Sequence, residues 1–430
     1  MRKPKWLKLP EIKDKRRAVS RIQSLIIVLL AASAIVLAGG RAGFSLGGSL
    51  PAGTINRESG TSGQAYFAAA QPMCVVVTPE TGAHNAMMYS SRELEDANGL
   101  YGAALAEALG SAGEPQEVTA EEWREALSGS GVYFDYYTDC QLSSFAIWMG
   151  SDMDSSARLH SARRLCLSVA DGEVVLYYMR ERHNEFYRCS TELSYSELYE
   201  RIGDSEPDGA QFAFELDGEL PLVDPYAVIA SGELEVRTIE GANSLDQSRA
   251  EEIMSAFGMS ANLANNYPNA DGTDVFLEGS ATLRLGSDGN LRFTRREVEA
   301  LESISPSDAV QITSGILEAT VGFSSGIADV RLTEIYLDGE TGEYTLKYDY
   351  AVDGLPVNLQ GRESAATFTI VGDTVTSADI LFRSYSYTGG TEHPLPARLA
   401  AALVQSEGGG EPRLVYIDSY GSARANWIVV

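Results

Sequence analysis

Lysine all but disappears from this chain after residue 23, and Lys347 is the single one that follows. Lysine-dependent chemistry, a Ser-Lys dyad included, therefore has almost no candidates. Cysteine is scarce too. Cys74, Cys140, Cys166 and Cys189 include no CxxC pair, so neither a redox motif nor a zinc knuckle is suggested. Their irregular spacing permits three pairings and selects none, and free buried thiols fit equally well. His84, His160, His183 and His393 lack HExxH or HxH spacing. A metal site would need long-range assembly, so surface or lightly buried histidines are expected. There is no phosphate-binding glycine loop either, and the sequence implies no cofactor.

Positive charge is concentrated in the first 23 residues. This head carries nine Lys and Arg against Glu11 and Asp14, whereas the whole chain stands at −27, so the remainder carries about −34. A body this acidic repels phosphate and anionic headgroups, which argues against nucleic acid as a partner.

Residues Leu25 to Ala38 are Leu, Ile, Val and Ala with one Ser. Extended from Ala18 to Gly40, the stretch supplies roughly 20 helix-tolerant residues, about what a bilayer core requires. With the basic head it reads as one transmembrane helix, N-terminus cytoplasmic and the remainder extracytoplasmic. A cleaved signal peptide is the alternative. Ala31, Ala34 and Ala38 recur at helical spacing and would let a partner helix approach closely. Arg41 to Gly63, rich in Gly, Ser, Thr and Ala, reads as a flexible stalk.

Beyond it lie about 365 residues, more than one core usually organises. The expected fold class is α+β: an N-terminal transmembrane helix, then two or three modules built on antiparallel sheets with short helices. The expected divisions are a head at 1–23, the span at 24–40, a stalk at 41–65, and modules at 66–209, 210–304 and 305–430. The first module opens on a buried strand at Met73 to Val77. Ser90 with Glu93, Thr119 with Glu122, and Ser194 with Glu197 have the spacing of helix caps. Val132 to Tyr137, Ser144 to Met149, Arg163 to Ala170 and Glu173 to Arg180 read as strands, with Asp171-Gly172 a hairpin turn. The second module centres on a helix capped by Ser244 and Gln247, followed by a hairpin of Val275 to Leu285 with Leu291 to Arg296. The third repeats that order. Ser305 caps a helix with Pro306 in its first turn, and strands follow at Val330 to Leu337, Tyr344 to Val352, Ser364 to Val371 and Thr374 to Ser384. A last helix, Leu395 to Gln405, precedes strands at Arg413 to Tyr420 and Arg424 to Val430. Trp427-Ile428-Val429-Val430 is too apolar to dangle in water.

Two GxSxG matches, Gly43 to Gly47 and Gly322 to Gly326, lack the strand-turn-helix setting of a nucleophile elbow. Asn265 to Asp274 is rich in Asn and Asp but would put Tyr267 first in a calcium loop, so a polar turn is expected instead. Nothing singles out two carboxylates as an acid/base pair. Arg163-Arg164 and Arg295-Arg296 are the adjacent basic pairs outside the head. They are expected to pair with nearby Asp and Glu, or else to form a docking face for an acidic protein.

The head, single span, mixed first module and strand-rich tail resemble the YycH/YycI group, single-pass regulators of Gram-positive bacteria. The likeness is carried by Lys347-Tyr348-Asp349-Tyr350 leading to Asp353-Gly354-Leu355-Pro356-Val357, the strands from Ala366 to Phe382, and Arg413-Leu414-Val415-Tyr416 followed by Asn426-Trp427-Ile428. The longer first module is closer to YycH. This resemblance implies no enzyme chemistry and no catalytic residues. It implies regulation of the cell-wall WalK/WalR (YycG/YycF) two-component system by contact with the sensor histidine kinase and a second single-pass regulator, as a homo- or hetero-oligomer in the membrane. The alternatives are an extracytoplasmic binding module for wall polymer or peptide, and, with least support, a secreted hydrolase.

Overall fold

The computed structural model describes residues 71–203, 205–216, 218–297 and 303–430. The head, the apolar run with Ala31, Ala34 and Ala38, the stalk and the first GxSxG match lie outside the described residues. No described helix is long and apolar enough to cross a membrane.

An apolar run closed by a threonine makes β1 (Cys74–Thr78), which is buried along its whole length. It lies inside a seven-stranded sheet with β2 (Asn85–Met87), β3 (Gln116–Val118), β4 (Gly131–Gln141), β5 (Ser161–Ala170), β6 (Glu173–Arg180) and β7 (Glu185–Ser190), in the order β2-β1-β4-β5-β6-β7-β3. Every pairing is antiparallel. Asp171 and Gly172 both have positive φ, 52° and 84°, as the two-residue β5–β6 turn requires. The expected caps start α1 (Ser91–Gly110), α2 (Ala120–Ser128) and α4 (Tyr195–Ile202): Ser90, Thr119 and Ser194 accept from the amides of Glu93, Glu122 and Glu197. Between them, α3 (Leu142–Trp148) replaces the strand expected at Ser144 to Met149. Leu142, Phe145, Ala146 and Trp148 are buried there and Ile147 is exposed, a helical spacing that a period of two cannot satisfy.

A strap, 205–216 and 218–232, follows with the short pair β8 (Gln211–Phe212) and β9 (Val228–Ile229). Its Phe212 and Tyr226 pack with Trp123, Tyr133 and Phe186 on the outer face of the first sheet. Its Leu216, Leu220, Val223 and Ile229 meet Ala397, Ala401 and Val404 of the last helix, α7 (Ala397–Ser406). One segment thus covers the first sheet and seats an element that arrives 170 residues later in the chain.

The second sheet has thirteen strands: β10 (Val236–Asn243), β11 (Asn265–Pro268), β12 (Asp274–Glu278), β13 (Ala281–Leu285), β14 (Asn290–Arg295), β15 (Asp329–Leu337), β16 (Glu343–Val352), β17 (Leu355–Leu359), β18 (Ala366–Val371), β19 (Thr374–Leu381), β20 (Arg383–Glu392), β21 (Pro412–Asp418) and β22 (Ser422–Val429). Its order is β11-β12-β13-β14-β19-β18-β16-β17-β21-β22-β10-β20, with β15 on β16. The helix expected to be capped by Ser244 instead opens with a 3₁₀ turn, Gln247–Arg249, capped by Asp246, before α5 (Ala250–Ala256). Gln247 is diverted to the carbonyls of Gly272 and Leu285. Val275 to Leu285 is two strands rather than one, because Gly279, with φ +55°, reverses the chain. Asn265–Pro268, expected as a turn, pairs with β12 as an edge strand. Ser305 and Asp308 form a reciprocal capping box at the start of α6 (Pro306–Thr320), as expected.

The two helix-then-meander blocks read from the sequence share this sheet. Strands β14 and β19 pair from Asn290↔Leu381 to Thr294↔Ser377, and a single apolar cluster runs from Val75 and Phe134 through Phe293 and Phe368 to Tyr416. The two sheets also meet at the Asp353-Gly354 turn. Tyr137 Oη donates to the Gly354 carbonyl at 2.7 Å, and a Cβ on Gly354 would lie 2.7 Å from Leu94 Cδ1.

The C-terminus is pinned. Trp427 Nε1 donates to the Leu395 carbonyl at 2.8 Å, its ring meets Tyr89 edge-on, and Glu411 and Val430 exchange both backbone hydrogen bonds. Deleting residues 427–430 is expected to cost about 2–4 kcal/mol, from lost aromatic packing and ladder bonds. An unchanged urea midpoint for the truncated protein would contradict this.

Candidate functional site: a buried charge clasp

Adjacent residues on a strand point to opposite faces, yet Arg163 and Arg164 of β5 are both buried, at 8% and 1% exposure. Beside them the β4 register breaks between Asp135 and Cys140, the kind of irregularity that re-aims side chains. Both guanidiniums reach one cluster built by β4, β5, the end of β6, the strap and the start of β21. Arg163 Nε lies 2.9 Å from Asp135 Oδ1, and its Nη2 donates to Glu411 Oε2 at 2.8 Å. Arg164 forks onto Asp224 at 3.1–3.2 Å, reaches Glu411 Oε2 at 3.1 Å, and sits 5.8 Å from the centre of the Tyr226 ring. Glu181 Oε1 is 3.4 Å from the Nε of each arginine, and Arg413 donates to Glu411 Oε1 at 3.0 Å.

Three guanidiniums here face four carboxylates. Burial pushes the carboxyl of Glu411 up, but Arg163, Arg413 and Arg164 outweigh it and hold the group down at about 2. Asp135 and Glu181 go the other way, raised by burial despite the same arginines. The Nε atoms of Arg163 and Arg164 make close contacts with Asp135 Oδ1 and Glu181 Oε1 that lack hydrogen-bond geometry, and the buried Nε of Arg413 has no hydrogen-bond partner. Charge therefore holds much of the cluster, and its energy depends on every member staying in place. A cavity of about 40 Å³ beside it is lined by Met73, Cys74, Asp135, Gly354 and Arg413. Burial raises the Cys74 thiol well above its ordinary value, and all four cysteines are free and buried. Such thiols are inert packing groups.

A second polar group fastens the strap to β1. Thr78 Oγ1 lies 2.8 Å from His84 Nδ1, His84 Nε2 is 3.0 Å from both oxygens of Glu215, and Ser128 donates to Glu215 at 3.1 Å. Burial raises the Glu215 carboxyl, but the bonds from His84, the Phe212 amide and Ser128 lower it overall. Hydroxyl, imidazole and carboxylate in a row have the order of a hydrolytic triad. Thr78 and His84 are, however, only 3% and 4% exposed, with the Phe212 ring edge-on against His84, so no acyl group can reach the hydroxyl. His84 corrects the expectation of surface or lightly buried histidines; it is core. His183 and His393 are exposed, and His160 is half-buried against the Tyr178 hydroxyl.

Of the other sequence candidates, Arg295 donates to the Phe257 carbonyl and lies over Phe293, while Arg296 is exposed. With Arg163 and Arg164 enclosed among carboxylates, the four arginines do not form a common docking face. Ser324 of the second GxSxG match follows α6 and bonds to Ser244 and the Val321 carbonyl, not to a histidine. No group of three or more potential metal ligands occurs among the described residues. The clasp members Asp135, Glu181, Asp224 and Glu411 carried no sequence signal of their own. Only the adjacent Arg163-Arg164 pair, inside an apolar strand, marked the place.

Two antiparallel-rich sheets with short helices, locked together by a strap and a buried charge clasp, define an α+β protein with the YycH-type fold. The crystal structure of YycH from Bacillus subtilis is similar to this chain at a TM-score of 0.54, covering 83% of this chain and 93% of that one at 11% identity. At that identity the likeness shows the fold. No family model matches the chain, and no curated protein matches its sequence.

Proposed function

We propose that this chain is a non-enzymatic, membrane-anchored regulator that modulates a cell-envelope sensor histidine kinase through transmembrane and extracytoplasmic contacts. The observation that carries the reading is the YycH-type fold over 83% of the chain, joined to the basic head and apolar run that read as a single span with a cytoplasmic N-terminus. In this reading the helix around Leu25 to Ala38 pairs with a helix of the kinase or of a second single-pass regulator. The folded part sets that helix's position or senses an envelope cue. The clasp supports such a role mechanically, since moving the strap or the start of β21 would unpair buried charges, so the two sheets respond as one body. A row of exposed leucines on and before α7, Leu395, Leu399 and Leu403, with Leu222 on the strap, offers an apolar face for protein contact.

The test is crosslinking in the native membrane followed by mass spectrometry. It compares the full-length chain, a form without residues 1–40, and the triple replacement of Ala31, Ala34 and Ala38 by Leu. The full chain is expected to capture a histidine kinase or a second single-pass regulator. The truncated form should lose it, and the triple variant should recover several-fold less, because leucine blocks close helix approach. Capture of wall-synthesis enzymes alone, or equal recovery by all three forms, would overturn the reading.

A further inference from the structure

The solvent side of the second sheet carries a feature that regulation through helix contacts does not use. Directly opposed residues run Tyr267, Val275, Arg284, Arg292 and Asp379 across β11, β12, β13, β14 and β19. The first four form the floor of a cleft of about 480 Å³, closed at one end by the 269–273 and 286–290 turns. Tyr267 is 53% exposed and Leu277 beside it 37%. Burying that apolar surface would favour binding.

The cleft is lined by two arginines, Arg284 and Arg292, and two carboxylates, Asp271 and Asp288, but the arginines are not paired with those carboxylates. Arg284 and Arg292 face each other across neighbouring strands, an arrangement that costs stability. Arg292 bonds to Asp379 at 3.1 Å, but Asp379 is shared with Arg362. Arg284 is exposed and has no acidic partner among the described residues. The cleft's own carboxylates are engaged locally: Asp271 accepts from the Thr273 amide, and Asp288 from the amide and side chain of Asn290. In a body of about −34, where most arginines find a carboxylate, a guanidinium left open beside a second one, in one cross-strand row with an aromatic ring, is a recognition pattern. The larger cleft, about 630 Å³ between α1 and α4, lacks it. Glu197, Glu200 and Glu206 line that cleft, and its Arg201 already bonds to the Leu100 carbonyl.

We propose that the β11–β14 cleft binds a carboxylated saccharide. Its carboxylate seats against Arg284 and Arg292, its ring lies on Tyr267 and Leu277, and its hydroxyls meet Asn269. The ring platform favours a sugar acid over a free phosphate, and the flat, open floor suits a chain that continues past the site. The site stands on this geometry alone and does not depend on the kinase reading.

The test is titration calorimetry on the full-length chain in detergent with trigalacturonate, the neutral galactose trimer and inorganic phosphate as probes. Trigalacturonate is expected to bind, more weakly as salt is raised, while the neutral trimer and phosphate do not. Arg284→Gln and Tyr267→Ala, both at exposed positions, should each weaken binding about tenfold or more. Arg92→Gln, which removes an exposed arginine elsewhere, should leave it unchanged. The proposal is overturned if trigalacturonate fails to bind, if the neutral trimer or phosphate binds as well, or if all three variants behave like the parent.

Discussion

Replacing Arg164 by methionine is expected to destabilise the folded part by about 3–5 kcal/mol, the range for removing one partner of a buried ion pair. The side chain is 1% exposed and neutralises Asp224 and Glu411 while sharing Asp135 and Glu181 with Arg163. Methionine fills much of the space but leaves four carboxylates around Arg163 and Arg413. Asp135→Asn should cost far less, because four carboxylates face three guanidiniums and asparagine keeps the shape and one acceptor oxygen while removing a negative charge. Urea denaturation of both variants at neutral pH measures the difference. Equal costs would mean that the cluster is held by shape and hydrogen bonding rather than by charge balance. The clasp would not on that account be a source of net stability, since a well-packed apolar replacement of the whole cluster can match or exceed a buried ionic one. What it supplies is register, because the strap and the start of β21 must arrive together for the charges to close.

Asp418→Ala should have an effect of similar size, about 3–5 kcal/mol, for the same physical reason in a different place. Asp418 of β21 is 1% exposed; it takes Arg383 Nε and Nη2 at 2.7–2.9 Å and accepts from the Tyr385 hydroxyl at 2.8 Å and the Tyr420 amide at 2.7 Å. Alanine would strand Arg383, 4% exposed, in a sheet interior and leave the Tyr385 hydroxyl without its acceptor. Because Arg383 and Tyr385 belong to β20 and pair with β10, the loss should appear first as faster amide exchange in β10, β20 and β22. Uniform acceleration across both sheets would instead place Asp418 in the global unfolding unit. Unchanged exchange would mean that the pair contributes nothing.

The local elements were largely legible because each rests on neighbours in the chain. Ser90, Thr119, Ser194 and Ser305 bond to amides three residues on, and Asp171-Gly172 turns within two. The misreadings arose where tertiary context chose between two local patterns. Ser144 to Met149 alternates well enough for a strand, but the core it faces takes Leu142, Phe145 and Ala146 from one side only. Asn265–Pro268 reads as a polar turn until β12 lies alongside to receive its hydrogen bonds. His84 looked like a surface residue because Glu215, which fixes it, lies 131 positions away.

By itself the sequence determined the α+β class, the helix caps, the alternating strands, the acidic body and the placing of chemistry-poor residues, all of which depend on spacing and composition. Only the tertiary structure decided that the helix-and-meander blocks share a thirteen-stranded sheet, that Arg163 and Arg164 are enclosed rather than displayed, and that Arg284 and Arg292 face each other in one row with Tyr267. Strand order and burial of charge are set by pairing energies between residues tens to hundreds of positions apart, and no local spacing encodes which distant carboxylate a given arginine will meet.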